Sequence, residues 1–292
     1  SPGKKHHSIA FAETKLSVGK VDAIFPIIHG TTGEDGALQG LVRMLGLPCV
    51  GTSILSSAAC MDKSITKLLC KVAGVPTAPY VQVDAHDFSI AKVKTALAGF
   101  SYPLFVKPAS QGSSIGVSKV STPEDLEAAI TEALKFDSRV LVEQGIVGRE
   151  IECAVLGNHT PAPSPIGEIA PPDAVYSYEE KYSASSVTGL FIPARITQND
   201  AARAQNFAIS AYKALQCVGM SRVDMFLTEK GDILLNEINT LPGFTKISMY
   251  PALWQEGGKP YSALLTELIV LAIDLYKEQQ RVDENISKLS PK

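Results

Sequence analysis

Apolar and polar positions follow two periods along the chain, and the switches between them mark out the elements. The run KVDAIFPIIHG, ending at Gly30, is short and β-rich. TTGEDG follows as a loop, and in ALQGLVRMLG the apolar positions recur at helix spacing until Gly46 stops them. LPCVG reads as the next strand, so the chain up to about residue 55 is expected to belong to an open α/β sheet. SILSSAACMDKSITKLLCKVAG begins as a Ser-rich loop and becomes an amphipathic helix ending at Gly74, and GVPTAPYVQV crosses into a new unit through two prolines. From there to residue 155 come the strand PLFVKP, the loop QGSSIG, the strand VSKV, a helix launched at Ser121 with Pro123 and Glu124 in its first turn, and the strands RVLVEQ and IECAVLG. The Pro- and Tyr-rich stretch 158–190 predicts loop and a mobile segment. Residues 200–219 predict one helix, SRVDMFL-TEKGD-ILLNEINT a β-hairpin, and the tail a Tyr/Pro/Trp loop before an amphipathic helix over 264–276.

Composition narrows the class. The chain has 292 residues, 45% of them hydrophobic, with 27 basic against 30 acidic side chains and a net charge of -3. That is enough to bury one large core or two ordinary ones, which excludes a disulfide-stapled mini-protein and a disordered chain. Near-balanced charge gives no electrostatic footprint for nucleic acid or an anionic membrane, so small-molecule partners are expected. Cys49, Cys60, Cys70, Cys153 and Cys217 form no CxxC pair and read as buried free thiols of a reducing compartment. The longest apolar stretch, LLTELIVLAIDLY, carries Glu267 and Asp274 and falls short of the roughly 20 residues a membrane span needs. The start, SPGKKHHSIAF, has neither an initiator Met nor a signal core, so the chain is expected to lack its natural beginning.

The hairpin carries the sharpest chemical signal. With Lys230 and Gly231 as the two turn residues, Asp224 stands across from Glu237 and Arg222 across from Asn239, all four on one face. Two carboxylates at about 5 Å repel, and one pKa rises unless a cation sits between them. Asp, Glu and Asn are oxygen donors, which suits Mg²⁺ better than Zn²⁺. Arg222 is then expected to be free to hold an anion beside the metal. The competing reading is a solvated hairpin face, and a bulge would break the register.

A second signal is a phosphate cradle: Lys107 ends an apolar strand and PASQGSSIGV follows, with small residues whose N–H groups can point at one anion. It is not a Walker A loop, since GxxxxGK[ST] is absent. Glu143 closes RVLVE, and Glu150 and Glu152 share a strand face with Arg149 on the other. These acids either accept ribose hydroxyls or complete a salt network. His29 is expected at the C-terminal end of a strand, where open α/β sheets bind ligands, and GEDG is either an acidic helix start or a site lining. YSYEEKY suggests a lid, with the Tyr182 hydroxyl or Lys181 reaching inward to exclude water.

Read together, FPIIHGTTGEDG, CMDKSITK, PLFVKPASQGSSIGVSKV, EQGIVGREIE, EEKY, RVDMFL and NEINTLPGFTKISMYP resemble the D-alanine–D-alanine ligases of the ATP-grasp superfamily, in the right order over about residues 20 to 260. The resemblance implies an α/β and α+β fold of three subdomains. These are an N-terminal open α/β domain over 1–74, a central ATP-grasp subdomain over 75–157, and a C-terminal one over 158–292 with a lid at about 170–190. ATP would lie between the last two. It implies an ADP-forming carbon–nitrogen ligase for peptidoglycan precursors: ATP phosphorylates the carboxylate of one D-alanine, the amine of a second attacks the acyl phosphate, and phosphate leaves a tetrahedral intermediate.

Carried over by resemblance, Lys67 and Lys107 match phosphate-contacting lysines, Glu143 and Glu150 match acids around adenosine, and the backbone of Ser113 and Ser114 covers the phosphates. Asp224, Glu237 and Asn239 match the ligands of two Mg²⁺ ions, with Mn²⁺ able to substitute. Arg222 and the Gly243 N–H match oxyanion donors. Ser113 and Tyr182 match residues that orient the first substrate and the lid, His29 lines the first amino acid's site, and Lys181, Ser248 and Met249 match positions that receive the second carboxylate. The family's opening segment GG.S.E, whose Glu contacts the first amine, has no counterpart before His29. The resemblance also suggests a cytoplasmic homodimer with no nucleic-acid or membrane partner. Rival readings are a D-alanine–D-lactate or D-alanine–D-serine ligase and a non-catalytic ATP-binding remnant. The lactate enzymes carry a His where this chain has Tyr182, which favours an amine nucleophile.

Overall fold

In a computed structural model, which describes residues 21–170, 189–245 and 248–289, the first unit keeps the expected order with less sheet. Ile24 and Cys49 form an isolated parallel bridge on either side of α1 (Ala37–Met44), with Ile24 N–H donating to the Pro48 carbonyl (2.9 Å) and Val50 N–H to that of Ile24 (2.8 Å). A strand pair without a third neighbour gains little, and the described residues supply none. The Ser-rich stretch expected as a loop is helical. It forms α2 (Ile54–Met61), capped by the Ser53 hydroxyl, and α3 (Lys63–Ala73), capped by Asp62, which accepts from the N–H groups of Ser64 and Ile65. The serines of α2 serve close packing: Ser56 and Ser57 are fully buried, and Ser56 donates to the Gln216 carbonyl at 2.6 Å. Gly74 ends α3 in the left-handed region, as its position predicts.

The chain then builds a four-stranded antiparallel sheet from β1 (Tyr80–Asp84), β2 (Leu104–Pro108), β3 (Ser118–Val120) and β4 (Arg139–Gln144), in the order β1-β4-β2-β3. Helices α4 (Ile90–Ala96) and α5 (Leu126–Ala133) cover one face over a core that includes Val93, Leu104, Val106, Leu126, Ile130 and Val142. The start of α5 is later than Ser121. Thr122 donates to the Asp125 carboxylate (2.7 Å), closing residues 122–125 into a turn ahead of the helix. Period-two alternation leaves Phe105, Lys107, Leu141 and Glu143 on the other face.

A second antiparallel sheet joins β5 (Gly148–Leu156), β6 (Ala162–Ala170), β7 (Gly189–Phe191), β8 (Met220–Thr228) and β9 (Ile233–Asn239) in the order β7-β6-β5-β8-β9. Helix α6 (Gln198–Ala214) packs its alanines and Tyr212 on Ile151, Cys153 and Val155. On the opposite face α7 (Met249–Glu256) and α8 (Tyr261–Leu289) bury Ala154, Leu156 and Met220. The Pro-rich stretch expected as loop therefore contains a strand. It is tolerated because β7 pairs only with Glu168–Ala170, leaving the Pro163–Pro165 part of β6 at an outer edge, where a missing N–H breaks no ladder. The expected boundary at 157 falls between β5 and β6, two paired strands of this one sheet, and the four-stranded sheet ends at Gln144.

The two sheets are linked where Leu235 N–H donates to the Pro76 carbonyl (2.8 Å) and Thr77 bridges Leu235. All five cysteines are free, four of them buried and Cys49 half-buried. Among the described residues no helix is long and apolar enough to cross a membrane. The N-terminal segment is seated on the second sheet at Gly219, whose φ is +69° and whose added Cβ would lie 2.4 Å from the Gly51 carbonyl oxygen. Gly219→Ala is therefore expected to cost about 2 kcal/mol or more, read as a lowered urea midpoint at unchanged slope.

Candidate active site

The β8–β9 hairpin reaches the expected pairing by a different route. Thr228 N–H donates to the Asp232 carbonyl and Gly231 N–H to that of Thr228 (both 2.9 Å), so the turn has three residues, Glu229 to Gly231, with Gly231 at φ 83°. This moves Met225 opposite Leu235 instead of Asn236. A bulge between Asp224 and Met225, with Asn236 the extra residue, then restores Asp224↔Glu237 and Arg222↔Asn239. On the other side of β8, Glu152 pairs with Asp224 and Ala154 with Arg222, so Glu152, Asp224 and Glu237 form a row of acids across three strands.

Arg222 is not free, contrary to expectation. Its Nε and Nη2 donate to the two oxygens of Asp224 at 2.7 Å each, and its Nε lies 3.0 Å from Glu152 Oε2. Asn239 Nδ2 adds a bond to Asp224 Oδ2 at 2.8 Å. Burial opposes the guanidinium charge, but Asp224, Glu152 and Glu237 outweigh it and hold the group well above its ordinary pKa. The cation that separates the acids thus comes from the protein itself.

Across from this row, the first sheet presents a second charge cluster. Glu143, 5% exposed, accepts from Lys107 at 2.9 Å and pairs with Lys67 at 3.2 Å. Burial pushes its carboxyl up, yet Lys107 and Lys67 together hold it down to about 2. Burial lowers the Lys67 ammonium, whereas for Lys107 the same burial is overcome by Glu143, with help from Glu237 and Glu150. Glu143 thus takes part in a salt network with both lysines. Glu237 acts electrostatically on Lys63 and Lys107 as well as on Arg222 and Glu34, so the two clusters lie within reach of one another. A groove of about 570 Å³ lined by Pro76, Arg203, Phe207 and Asp232 contains none of these groups.

The Gly/Ser loop follows directly on Lys107 at the end of β2. Ser113 and Ser114 both lie in the left-handed region, at φ 53° and 60°, which few side chains adopt. Gly116 closes the loop at φ +68°, where an added Cβ would meet Phe136 at 2.7 Å and Pro108 at 2.8 Å. From the N-terminal side, His29 Nδ1 donates to the Leu241 carbonyl (2.9 Å). Glu34 accepts from Gly30 N–H (2.6 Å) and Leu241 N–H (3.2 Å). GEDG thus does both of the jobs left open: Asp35 accepts from Thr32 and Ala37 N–H at the helix start, and Glu34 lines the site. Gly243 lies beside Ser248, whose Oγ a Cβ there would approach to 2.9 Å, and Ser248 Oγ accepts from Thr245 N–H (3.0 Å). The Met249 side chain is buried in the core beneath α7, so only its backbone faces the helix start. Lys181, Tyr182 and the body of the expected lid lie outside the described residues.

One residue at the site, Lys63, escaped the reading of the sequence, whereas Glu152 and Glu34 were named there only with open roles. Lys63 stands one helical turn before Lys67 within CMDKSITK, a spacing that puts both on one face. Glu152 is two residues from Glu150 on one strand face, and Glu34 lies within GEDG. As for a metal, no three His, Cys, Asp or Glu side chains among the described residues close on one point. The candidate set is two carboxylates and an amide, all able to present oxygen, since the Asn239 amide is oriented only by its network. Three acids against one guanidinium leave the negative excess that a divalent cation would offset, so the donors fit Mg²⁺.

Two antiparallel sheets holding lysines, a Gly/Ser loop and an acid row around one cleft define an ATP-grasp enzyme. Family models for the D-ala D-ala ligase N-terminus and C-terminus match residues 1–52 and 69–270. The chain is 50% identical over 278 residues to D-alanine–D-alanine ligase A of Escherichia coli strain K12, covering 94% of this chain and 75% of that protein. The solved D-alanine–D-alanine ligase of Coxiella burnetii superposes with a TM-score of 0.83 at 40% identity, over 93% of this chain and 74% of that one. The VanG D-Ala:D-Ser ligase of Enterococcus faecalis does so at 0.80 and 42%, over 87% and 73%. The chain belongs to the D-alanine–D-alanine ligase family.

Glu143→Gln is expected to cost about 3–5 kcal/mol, because two buried ammonium groups lose their counter-charge. Glu143's folded pKa is depressed from 4.5 to about 2, so its stabilisation is full above pH 4.5 and disappears as pH falls to about 2. Melting temperatures across that interval should fall less steeply for Glu143→Gln than for wild type.

Proposed function

We propose that this chain joins two D-alanines into D-alanyl-D-alanine at the expense of ATP, releasing ADP and phosphate, as a step in peptidoglycan precursor synthesis. The observation that carries this reading is the meeting of the Lys67–Glu143–Lys107 cluster and the Arg222–Asp224–Asn239 cluster in one cleft, with Glu237 acting on both. The lysines would receive the triphosphate under the Ser113–Ser114 loop. The γ-phosphoryl group passes to the carboxylate of the first D-alanine, beside His29, giving an acyl phosphate. The amine of the second D-alanine attacks that carbonyl, and phosphate departs from the tetrahedral intermediate. Negative charge builds on the oxyanion at this stage, where Arg222 and the Gly243 N–H would donate. Ser113 would help to orient the first substrate, while Ser248, the Met249 N–H and Lys181 would receive the second carboxylate. Tyr182 would close the lid against water. Glu150, on β5 and within electrostatic reach of Lys107, would accept from the nucleoside.

Asp224, Glu237 and Asn239 would hold two Mg²⁺ ions, or Mn²⁺ in their place, which would supply neutralisation of phosphate charge. The same reading places the enzyme in the cytoplasm as a homodimer, where ATP and Mg²⁺ are available. A D-serine acceptor is the second reading, favoured by the 42% identity to a D-Ala:D-Ser ligase.

Offered ATP, Mg²⁺ and a mixture of D-alanine, D-serine and D-lactate, the protein should yield D-alanyl-D-alanine as the dominant product by mass spectrometry. A dominant D-Ala-D-Ser signal would reassign the acceptor, and no nucleotide turnover would reject the ligase reading. Because Asp224 and Glu237 face each other, Mg²⁺–ATP should raise the melting temperature and Glu237→Gln should abolish most of the rise. Equal stabilisation of the two proteins would remove Glu237 from the metal set.

A further inference from the structure

Four buried cysteines play no part in the proposed reaction, and two of them face each other across the seam between the N-terminal segment and the second sheet. Cys60, the penultimate residue of α2, and Cys217, in the connection from α6 to β8, hold their sulfurs 3.7 Å apart. Among the described residues no other two thiols come within hydrogen-bonding reach. The backbone on each side is fixed so that this pair meets. Ser56, one turn earlier on α2, donates to the Gln216 carbonyl at 2.6 Å, and Thr66 donates to the Ala59 carbonyl at 2.8 Å. Gln216 turns the chain at the end of α6 with a left-handed φ of 52°, while Cys217 N–H donates to the Tyr212 carbonyl (2.9 Å) and Val218 N–H to the Thr52 hydroxyl (3.0 Å). A non-glycine residue keeps such a conformation only where its surroundings hold it, and the result here is a thiol turned towards α2. Neither sulfur faces the acid row. Both belong to the apolar core on the α6 side of the second sheet, with Ile151, Cys153 and Val223.

We propose that Cys60 and Cys217 form a modification site, a dithiol that hydrogen peroxide closes into a disulfide, stapling the N-terminal segment to the second sheet. The sulfurs need to approach by roughly 1.7 Å to reach bonding distance, a shift that the connection carrying Cys217 can share with the end of α2. The Cys217 thiolate attacks one peroxide oxygen and the O–O bond breaks. The leaving hydroxide takes up the proton that Cys217 gave up, forming water, and Cys217 is left as a sulfenic acid. The Cys60 sulfur then attacks that sulfur, the S–O bond breaks, and hydroxide departs with the Cys60 proton as a second water. Two thiols are oxidised and one peroxide is reduced. Cys217 reacts first because hydrogen bonding from Cys60, with lesser help from Ser221 and Thr52, lowers its thiol pKa against burial, whereas the same contact raises that of Cys60. Both residues are buried, so peroxide, close to water in size, is the oxidant that fits, and a bulkier disulfide is not. The bond would join positions 157 residues apart, with the entire four-stranded sheet between them, and so would remove much conformational freedom from the unfolded chain.

The test treats the full chain with hydrogen peroxide, unfolds it in an alkylating reagent and maps its thiols by mass spectrometry, with thermal melting run in parallel. A linked Cys60–Cys217 peptide lacking two hydrogens should appear, and the melting temperature should rise by about 5 °C or more, both changes being reversed by dithiothreitol. Cys60→Ala and Cys217→Ala should lose the linked peptide and the rise, while Cys70→Ala, whose thiol lies in the same core, should keep both. Sulfinic or sulfonic acid at either position with no linked peptide would overturn the proposal. So would a link to Cys70 instead, no reaction at either sulfur, or a linked protein that melts at or below the reduced one. If an alanine variant does not fold, the linkage mapped in wild type and its reversal by dithiothreitol decide the outcome. None of these readouts depends on ligase turnover, so this proposal and the proposed function stand or fall separately.

Discussion

A buried carboxylate held by two ammonium groups fixes the geometry of the cleft. Glu143 comes from β4, Lys107 from the neighbouring strand β2 and Lys67 from α3, so one ion triad ties the helix of the N-terminal segment to the four-stranded sheet. None of the three could remain charged alone at this burial, since desolvation drives each towards its neutral form. Their mutual dependence fixes where α3 sits, and the position of α3 determines where Lys63 meets the Gly/Ser loop. The triad carries net charge +1, and an incoming polyphosphate would therefore find a positive surface whose cations are already desolvated and oriented.

The acid row on the second sheet solves the converse problem. Glu152, Asp224 and Glu237 occupy adjacent strands at one level, and without a cation their like charges would repel across the sheet. Arg222 prevents this by lying along Asp224 and touching Glu152. A guanidinium suits the position better than an ammonium because its planar fork meets both Asp224 oxygens at once. The arrangement also keeps Arg222 beside the place where an oxyanion would form. Glu152 holds the guanidinium from a second side, so it would stay in place if Asp224 were engaged elsewhere.

The residues that carry chemistry were more legible in the sequence than the segments that carry them. Asp224 and Glu237 were paired correctly from a turn that is wrong by one residue, because the three-residue turn at Glu229–Gly231 and the bulge at Asn236 cancel. The acids occupy positions that alternation alone could identify, while a turn and a bulge are decided by local backbone choices that one sequence leaves nearly degenerate. The Ser-rich α2 and the Pro-bearing β6 were read as loops for a shared reason. Serine at a buried helix face and proline at an unpaired strand edge follow the neighbouring chain, and composition rules average over neighbours. Arg222 was misjudged because a side chain can fold back along its own strand onto Asp224, a rotamer choice that alternation does not report, and because Glu152 on β5 is reached only through long-range pairing.

Leu241 shows why the N-terminal segment must be part of the site and not an appendage. Its carbonyl accepts from His29, its N–H donates to Glu34, and its side chain lies against Gly51. It stands two residues after Asn239 and two before Gly243, so the same short stretch joins the acid row to the N–H beside Ser248. A shift of the His29–Glu34 loop would be passed directly into that stretch, because the bonds attach to the carbonyl and the N–H of one residue and leave little slack between them. The residues that would grip the first amino acid and those that would stabilise its reacting carbonyl are therefore set by one mechanical link. Placement within a fraction of an ångström is what an oxyanion donor needs to be effective, and a link through a single residue achieves it with few soft torsions.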